Sequence, residues 1–317
     1  MNNELGMLVG WFVMLILSLL LAPLMLGIIN RVKAIFAGRH GQPLLQLYFD
    51  LIKLMQKGTV YSNSCSSIFR IAPVVSLAVY LITVMMLPQA GFKVPEFLVF
   101  RGDLILFVYL LALARMLTVL AALDTASSFE GMGASREVQF SALAEGAFMG
   151  SMACLAMLGE SLRLSDILTN HQAINLITVH GTSIFLIGAS LFLVMLSETC
   201  RVPFDDPNTH LELTMIHEAM ILDNSGPDLA YILYGASLKL WLFASLIVMI
   251  LIPFSGPFWL NIIIFLAAMA LIAVLIGIVE STIARFRFIK IPQLLVGALG
   301  LTVLAVIFSF VINGKGL

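Results

Sequence analysis

Residues 230–253 read AYILYGASLKLWLFASLIVMILIP, an apolar run that carries a single charge, Lys239, near its middle. A helix of about 20 apolar residues crosses the hydrocarbon core of a bilayer. The run therefore predicts a transmembrane helix. Lys239 then needs a partner or a wet cavity, because a charge at bilayer depth costs about 2.5–3.5 kcal/mol on insertion scales. Working outward, seven more stretches have the same character: Met7–Ile29, Ile71–Pro88, Asp103–Leu123, Phe140–Glu160, His180–Cys200, Leu260–Glu280 and Gln293–Ile312. With Ala230–Pro253 they predict a single polytopic domain over residues 1–317, all-α and integral to the membrane, with about eight transmembrane helices.

Composition agrees. The 317 residues are 61% hydrophobic and 11% charged, whereas a soluble domain carries roughly 25% charged residues. The net charge of −1 gives no basic surface for nucleic acid. Cys65, Cys154 and Cys200 lie far apart and form no pair motif. They read as packing or loop thiols rather than as ligands of zinc or an iron–sulfur cluster. No positive region precedes the first apolar run, so a cleaved signal peptide is not expected.

Orientation follows from the basic residues in the connections. Arg31, Lys33, Arg39, Lys53, Lys57, Arg70, Arg136, Arg201, Arg285, Arg287 and Lys290 fall on one side, and Lys93, Arg101, Arg163 and Lys315 on the other. The segments near 30–70, 124–139 and 201–229 should therefore face the cytoplasm, with both termini outside. No internal repeat is visible, which weighs against an inverted-repeat transporter. Residues 43–57, PLLQLYFDLIKLMQK, place Leu44, Leu47, Leu51, Leu54 and Met55 on one stripe and read as an amphipathic cytoplasmic helix. Thr209 and Glu212 have capping-box spacing after Pro207, and Asn224-Ser225-Gly226-Pro227 reads as a helix stop. The cytoplasmic connections are thus structured rather than linker-like.

The remaining charges sit in costly places. Arg115 falls within the third span and Lys239 in the sixth. Glu160, Glu198 and Glu280 fall at span ends, where simple solvation is the plainer reading of Glu160. Glu137, Ser141 and Glu145 recur every four residues and make a polar stripe that enters the membrane from the cytoplasm. The densest region is 198–223, with Glu198, Arg201, Asp205, Asp206, His210, Glu212, His217, Glu218 and Asp223. Clustered carboxylates raise one another's proton affinity, which suits ion movement. His210, His217 and Glu218 lack a metal-site spacing.

At this point the chain resembles a known family over nearly its full length. It is similar to the membrane subunit shared by respiratory complex I (NADH dehydrogenase subunit 1) and the membrane-bound group 4 nickel–iron hydrogenases, including formate hydrogenlyases. Four segments carry the likeness: GRHGQPLLQLYFDLIKLMQKG at 38–58, LDTASSFEGMGASREVQFSALAE at 123–145, SETCRVPFDDPNTHLELTMIHEAMILDNSGPD at 197–228, and VESTIARFRF at 279–288. The runs Asp124–Glu137 and Glu280–Arg285 lean towards the hydrogenase branch. Complex I has several glutamates shortly after its Pro-Phe-Asp. Here Asn208 and His210 stand in that stretch while Glu212 matches, and the returning acid appears as Asp223 with shifted spacing. That departure weighs against a quinone chamber of the complex I kind.

The resemblance implies a subunit of an oxidoreductase complex with no redox centre on this chain. The nickel–iron centre and iron–sulfur clusters are expected in peripheral large and small subunits, beside antiporter-like membrane partners in the cell inner membrane. It implies ion translocation through Glu137, Glu145, Glu198, Asp205, Glu212, Glu218 and Asp223, continued by Arg115, Lys239 and Glu280. Arg136, Arg201, Arg285 and Arg287 would pair with carboxylates or dock the peripheral arm. The alternatives are the same fold as the quinone-site subunit of a complex I-like enzyme, a stand-alone ion-coupled transporter, and a passive anchor.

Overall fold

The computed structural model describes residues 2–62, 64–169, 180–205 and 215–314. Among them no strand forms, and eight helices are long and apolar enough to cross a membrane. In chain order the α-helices are α1 (Asn2–Phe36), α2 (Gln46–Met55), α3 (Ser67–Met86), α4 (Asp103–Asp124), α5 (Ser128–Gly159), α6 (Leu164–Thr169), α7 (Gly181–Glu198), α8 (His217–Met220), α9 (Gly226–Leu251), α10 (Phe258–Thr282) and α11 (Ile291–Gly314). The eight long ones match the eight predicted spans.

Helix α9 is the central post. Every residue from Ser237 to Ile250 is buried, and α3, α7, α1, α2 and α10 all pack on it. Apolar side chains on the outer faces of the bundle are instead exposed, among them Leu20, Tyr109, Phe185, Ile263 and Phe310. Helices packed inside water would bury these, whereas lipid leaves them free to face outward.

Three local expectations change. Helix α5 begins twelve residues before Phe140, so most of the expected loop 124–139 is helical. At 1.5 Å per residue it is roughly 48 Å long, well beyond a hydrocarbon core of roughly 30 Å. The polar turn content of Ser128–Gln139 hides this extension from any hydropathy window. Second, Asn224–Pro227 is a start and not a stop. Ser225 is the N-cap of α9, with Pro227 at the second helical position, where the missing N–H costs nothing. Gly226 has φ +56°, and a Cβ there would meet the backbone oxygen of Gly58 at 2.7 Å. Third, Leu44 lies before α2, and the helix has two apolar sides. Leu47, Leu51 and Leu54 are partly covered, while Phe49, Ile52 and Met55 are exposed. The capping pair Thr209 and Glu212 lies outside the described residues, as do Asp206 and His210.

Candidate functional site

Counting rises from the ends of the bundle remote from α2 puts several charges at one depth. Arg115 lies roughly 18 Å along α4 from Asp103, Lys239 roughly 18 Å from Leu251, and Glu145 roughly 21 Å from Gly159. All three are near the middle of the bilayer, and they meet. Arg115 Nη1 donates to Glu145 Oε1 at 2.7 Å, and Nη2 donates to Glu198 Oε2 at 2.8 Å. Lys239 Nζ lies 2.8 Å from Glu198 Oε2. Glu137 Oε1 stands 4.0 Å from Arg115 Nε, which is buried without a hydrogen bond. Helices α4, α5 and α7 thus meet at one guanidinium, whose planar fork suits several carboxylates at once, and α9 joins them through Lys239 on Glu198. Glu137 and Glu145 lie about two turns apart on the same face of α5, which lets both reach Arg115.

Two cavities flank Glu198. One, of about 60 Å³, is lined by Ser76 and Tyr80 of α3, Thr118 of α4, Glu198, Cys200, His217 and Lys239. The other, of about 10 Å³, is lined by Glu137, Ser141, Glu198, Cys200 and Asp205. A water needs roughly 10–15 Å³ of such space and several polar partners. The larger cavity has room for a short water chain and the smaller for about one. Burial raises the Cys200 thiol well above its ordinary range, so it is a neutral wall between them. His217 is pushed down to about 4 by desolvation and by Lys239, so its ring is neutral at pH 7.

A second network ties the ends of α1 and α10. Glu280, fully buried, lies 2.8 Å from Lys33 and 3.4 Å from Arg201. Lys33 figures in the sequence only as a flanking charge, one turn beyond the apolar run. Its pairing follows from close packing, since a Cβ at Gly277 of α10 would meet Val32 of α1 at 2.7 Å. Asp205 joins this end to α8. Its carboxylate accepts from the N–H groups of Ile216 and His217 and pairs with Arg285 at 2.9 Å. Arg285 and Arg136 both lie over the Phe288 ring, at 5.6 and 4.7 Å.

The remaining predicted residues are placed as follows. Arg136 donates to the Met215 carbonyl rather than to a carboxylate. Glu218 lines a cleft of about 260 Å³ between α1, α2 and α9, together with Arg201 and Asp50. Asp223 and Arg287 are exposed and stand outside the buried networks. Asp223 instead donates its backbone N–H to Glu130, a wholly buried acid that the sequence reading did not single out. Glu160 is exposed at the end of α5, in keeping with simple solvation. Glu212 lies outside the described residues. Among the described residues, no group of three or more His, Cys, Asp and Glu is arranged to hold a metal ion.

The comparisons with known proteins converge on one family. Hydrogenase-4 component C of Escherichia coli (strain K12) is 32% identical over 306 residues, covering 94% of each chain. Formate hydrogenlyase subunit 4 of the same organism is 28% identical over 295 residues, covering 90% of this chain and 92% of the relative. In fold, the chain matches one chain of the membrane-bound sulfane sulfur reductase, an archaeal respiratory membrane complex. The TM-score is 0.81 at 16% identity, over 95% of this chain and 99% of that one. The NADH dehydrogenase family profile matches residues 9–311, so the chain belongs to the NADH dehydrogenase family of multi-pass membrane proteins.

Proposed function

We propose that this chain is the membrane subunit of a group 4 nickel–iron hydrogenase or formate hydrogenlyase-like complex. In this reading it seats the peripheral redox subunits and couples their electron transfer to movement of protons or sodium. The names of the two E. coli relatives support the first part. The observation that carries the second is Glu198, a buried carboxylate shared by Arg115 and Lys239 and bordered by both cavities.

The geometry supports a stepwise route. Asp205 and Ser141 line the small cavity at the loop end, Glu137 and Glu198 its inner wall. Protonating one of the three carboxylates around Arg115 leaves the guanidinium free to lean towards the other two. The slack 4.0 Å contact to Glu137 is the one that closes. Charge then passes from the loop end to Glu145 on the opposite side of Arg115 without a large helix motion. The nickel–iron and iron–sulfur centres belong to partner subunits in this reading, with antiporter-like membrane subunits alongside. The chain would sit in the cell inner membrane with both termini outside.

The test uses the intact complex in sealed vesicles. Glu198→Gln should leave assembly and electron transfer near normal and lower ion movement at least about tenfold. Full ion movement in an assembled Glu198→Gln complex overturns the coupling role.

One observation favours the quinone-reducing alternative. The 260 Å³ cleft combines apolar walls, Leu26, Leu47 and Leu233, with Asn30, Gln42, Gln46 and Arg201. An apolar pocket with a few polar groups is the usual form of a small-molecule site, and these residues fit a quinone head group. Redox activity sensitive to quinone-site inhibitors, and lost in a Leu233→Trp variant, would move the assignment to that branch.

A further inference from the structure

We propose that the face of α5 around Glu145 docks a transmembrane helix of a neighbouring subunit, and that this helix carries a basic side chain at the depth of Glu145. Glu145 is the outermost member of the Arg115 cluster. Its side chain is 35% exposed, against 12% for Glu137 and 4% for Glu198. Oε1 is held by Arg115, while Oε2 has no hydrogen bond among the described residues. The exposure is lateral: Glu145 lines neither cavity beside Glu198. The residues around it on the same face, Val138, Ala142, Gly146, Met149, Ala153 and Met157, are all exposed.

An oxygen of a carboxylate left open to hydrocarbon near mid-bilayer is costly, and intramembrane charges face a protein interior or a wet cavity for that reason. At the depth of Glu145 its exposed neighbours Ala142, Gly146 and Met149 are apolar, and the exposed amide of Gln139 lies roughly 9 Å nearer the loop end of α5. A packed helix removes the cost, and the small exposed residues Ala142 and Ala153 let its backbone approach closely. Charge selects what that helix brings. Around Arg115 three carboxylates face two cations, Arg115 and Lys239. A lysine, arginine or histidine from outside balances the cluster and supplies the donor that Oε2 lacks. A lipid head group does not reach this depth.

The inference rests on the proposed function only in taking the chain as one subunit of an assembly. Photo-crosslinking residues placed at Ala142 and Met149, in the intact complex in native membranes, read out the neighbour directly. The expected adduct is one membrane subunit, joined within one helical turn of a basic residue. Glu145→Lys should lower assembled complex by about tenfold, and reversing the partner's basic residue to glutamate should restore it to within about twofold. Adducts with lipid alone, a joined helix with no basic residue within a turn, or no rescue by the reversal each overturn the proposal. A complex that assembles and crosslinks but moves no ions would instead overturn the coupling role and leave the docking face standing.

Discussion

Two buried charge networks cross the helices of this protein, and they carry opposite surpluses. Around Arg115, near mid-membrane, three carboxylates share two cations and border two cavities. Around Glu280, at the loop end of α1 and α10, two cations share one fully buried carboxylate. A cluster whose surplus acid is met from outside the chain, by a neighbour's basic residue or by an incoming proton or sodium ion, can exchange one positive charge for another. A single acid clamped by two cations cannot. The first network therefore suits charge movement and the second suits holding two helices and the Arg201 turn together.

The comparison breaks most visibly at its two hubs. Arg115→Met leaves the buried Glu137 and Glu198 and the half-buried Glu145 with Lys239 alone. Removing one side of a buried pair costs about 3–5 kcal/mol, and here three partners are stranded together. The expected outcome is near-complete loss of assembled complex from membranes, measured by native gel and immunoblot. Glu280→Gln is milder, because the amide still accepts a hydrogen bond and Lys33, 24% exposed, can swing to solvent. A loss of about 1–3 kcal/mol should lower the thermal midpoint of the purified complex while leaving coupling per turnover unchanged. If Glu280→Gln abolishes coupling at normal stability, the clamp assignment is wrong.

A smaller variant sharpens the same point. Lys33→Met removes a partly exposed partner, and Arg201 still holds Glu280. The cost should be about 1 kcal/mol or less, read as a small shift in thermal midpoint. In Lys33→Met/Glu280→Gln the two losses should be clearly non-additive, because both act on one contact. Additivity would mean that the 2.8 Å pair contributes nothing to holding α1 against α10.

Much of the fold was legible because the bilayer imposes a simple length and polarity rule, and the eight apolar runs obey it. Arg115 and Lys239 stood out for the same reason, as charges where the rule forbids them. The spacing of Glu137 and Glu145 announced a shared face. What the sequence could not carry was pairing across helices. Nothing local to Glu198 says that Arg115, 83 positions earlier, and Lys239 will both reach it. Lys33 looked like an ordinary flanking charge because its partner Glu280 is distant in sequence. Local signals misled where two readings share one composition. Asn-Ser-Gly-Pro ends a helix or begins one equally well, and the packing of Gly226 on Gly58 decided for the start.

The least disruptive test concerns His217, whose backbone N–H donates to Asp205 but whose ring lines the larger cavity beside Lys239. Its imidazole is held down at about 4 by desolvation and by Lys239, against roughly 6.5 in an unfolded chain. With the folded value below the unfolded one, the unfolded state binds the extra proton first. The stability this neutral ring contributes is fully present above pH 6.5 and is lost as the pH falls from 6.5 towards 4. The thermal midpoint of the purified complex should therefore drop on moving from pH 7 to pH 5. His217→Asn keeps a polar side chain in the cavity but cannot take up that proton, so its drop should be smaller. Equal drops in the two proteins would mean that His217 is free to protonate in the folded state. The cavity beside Glu198 would then accept a third cation near Lys239, and the surplus of acid that separates this network from the Glu280 clamp would vanish in the pH range where the complex is tested.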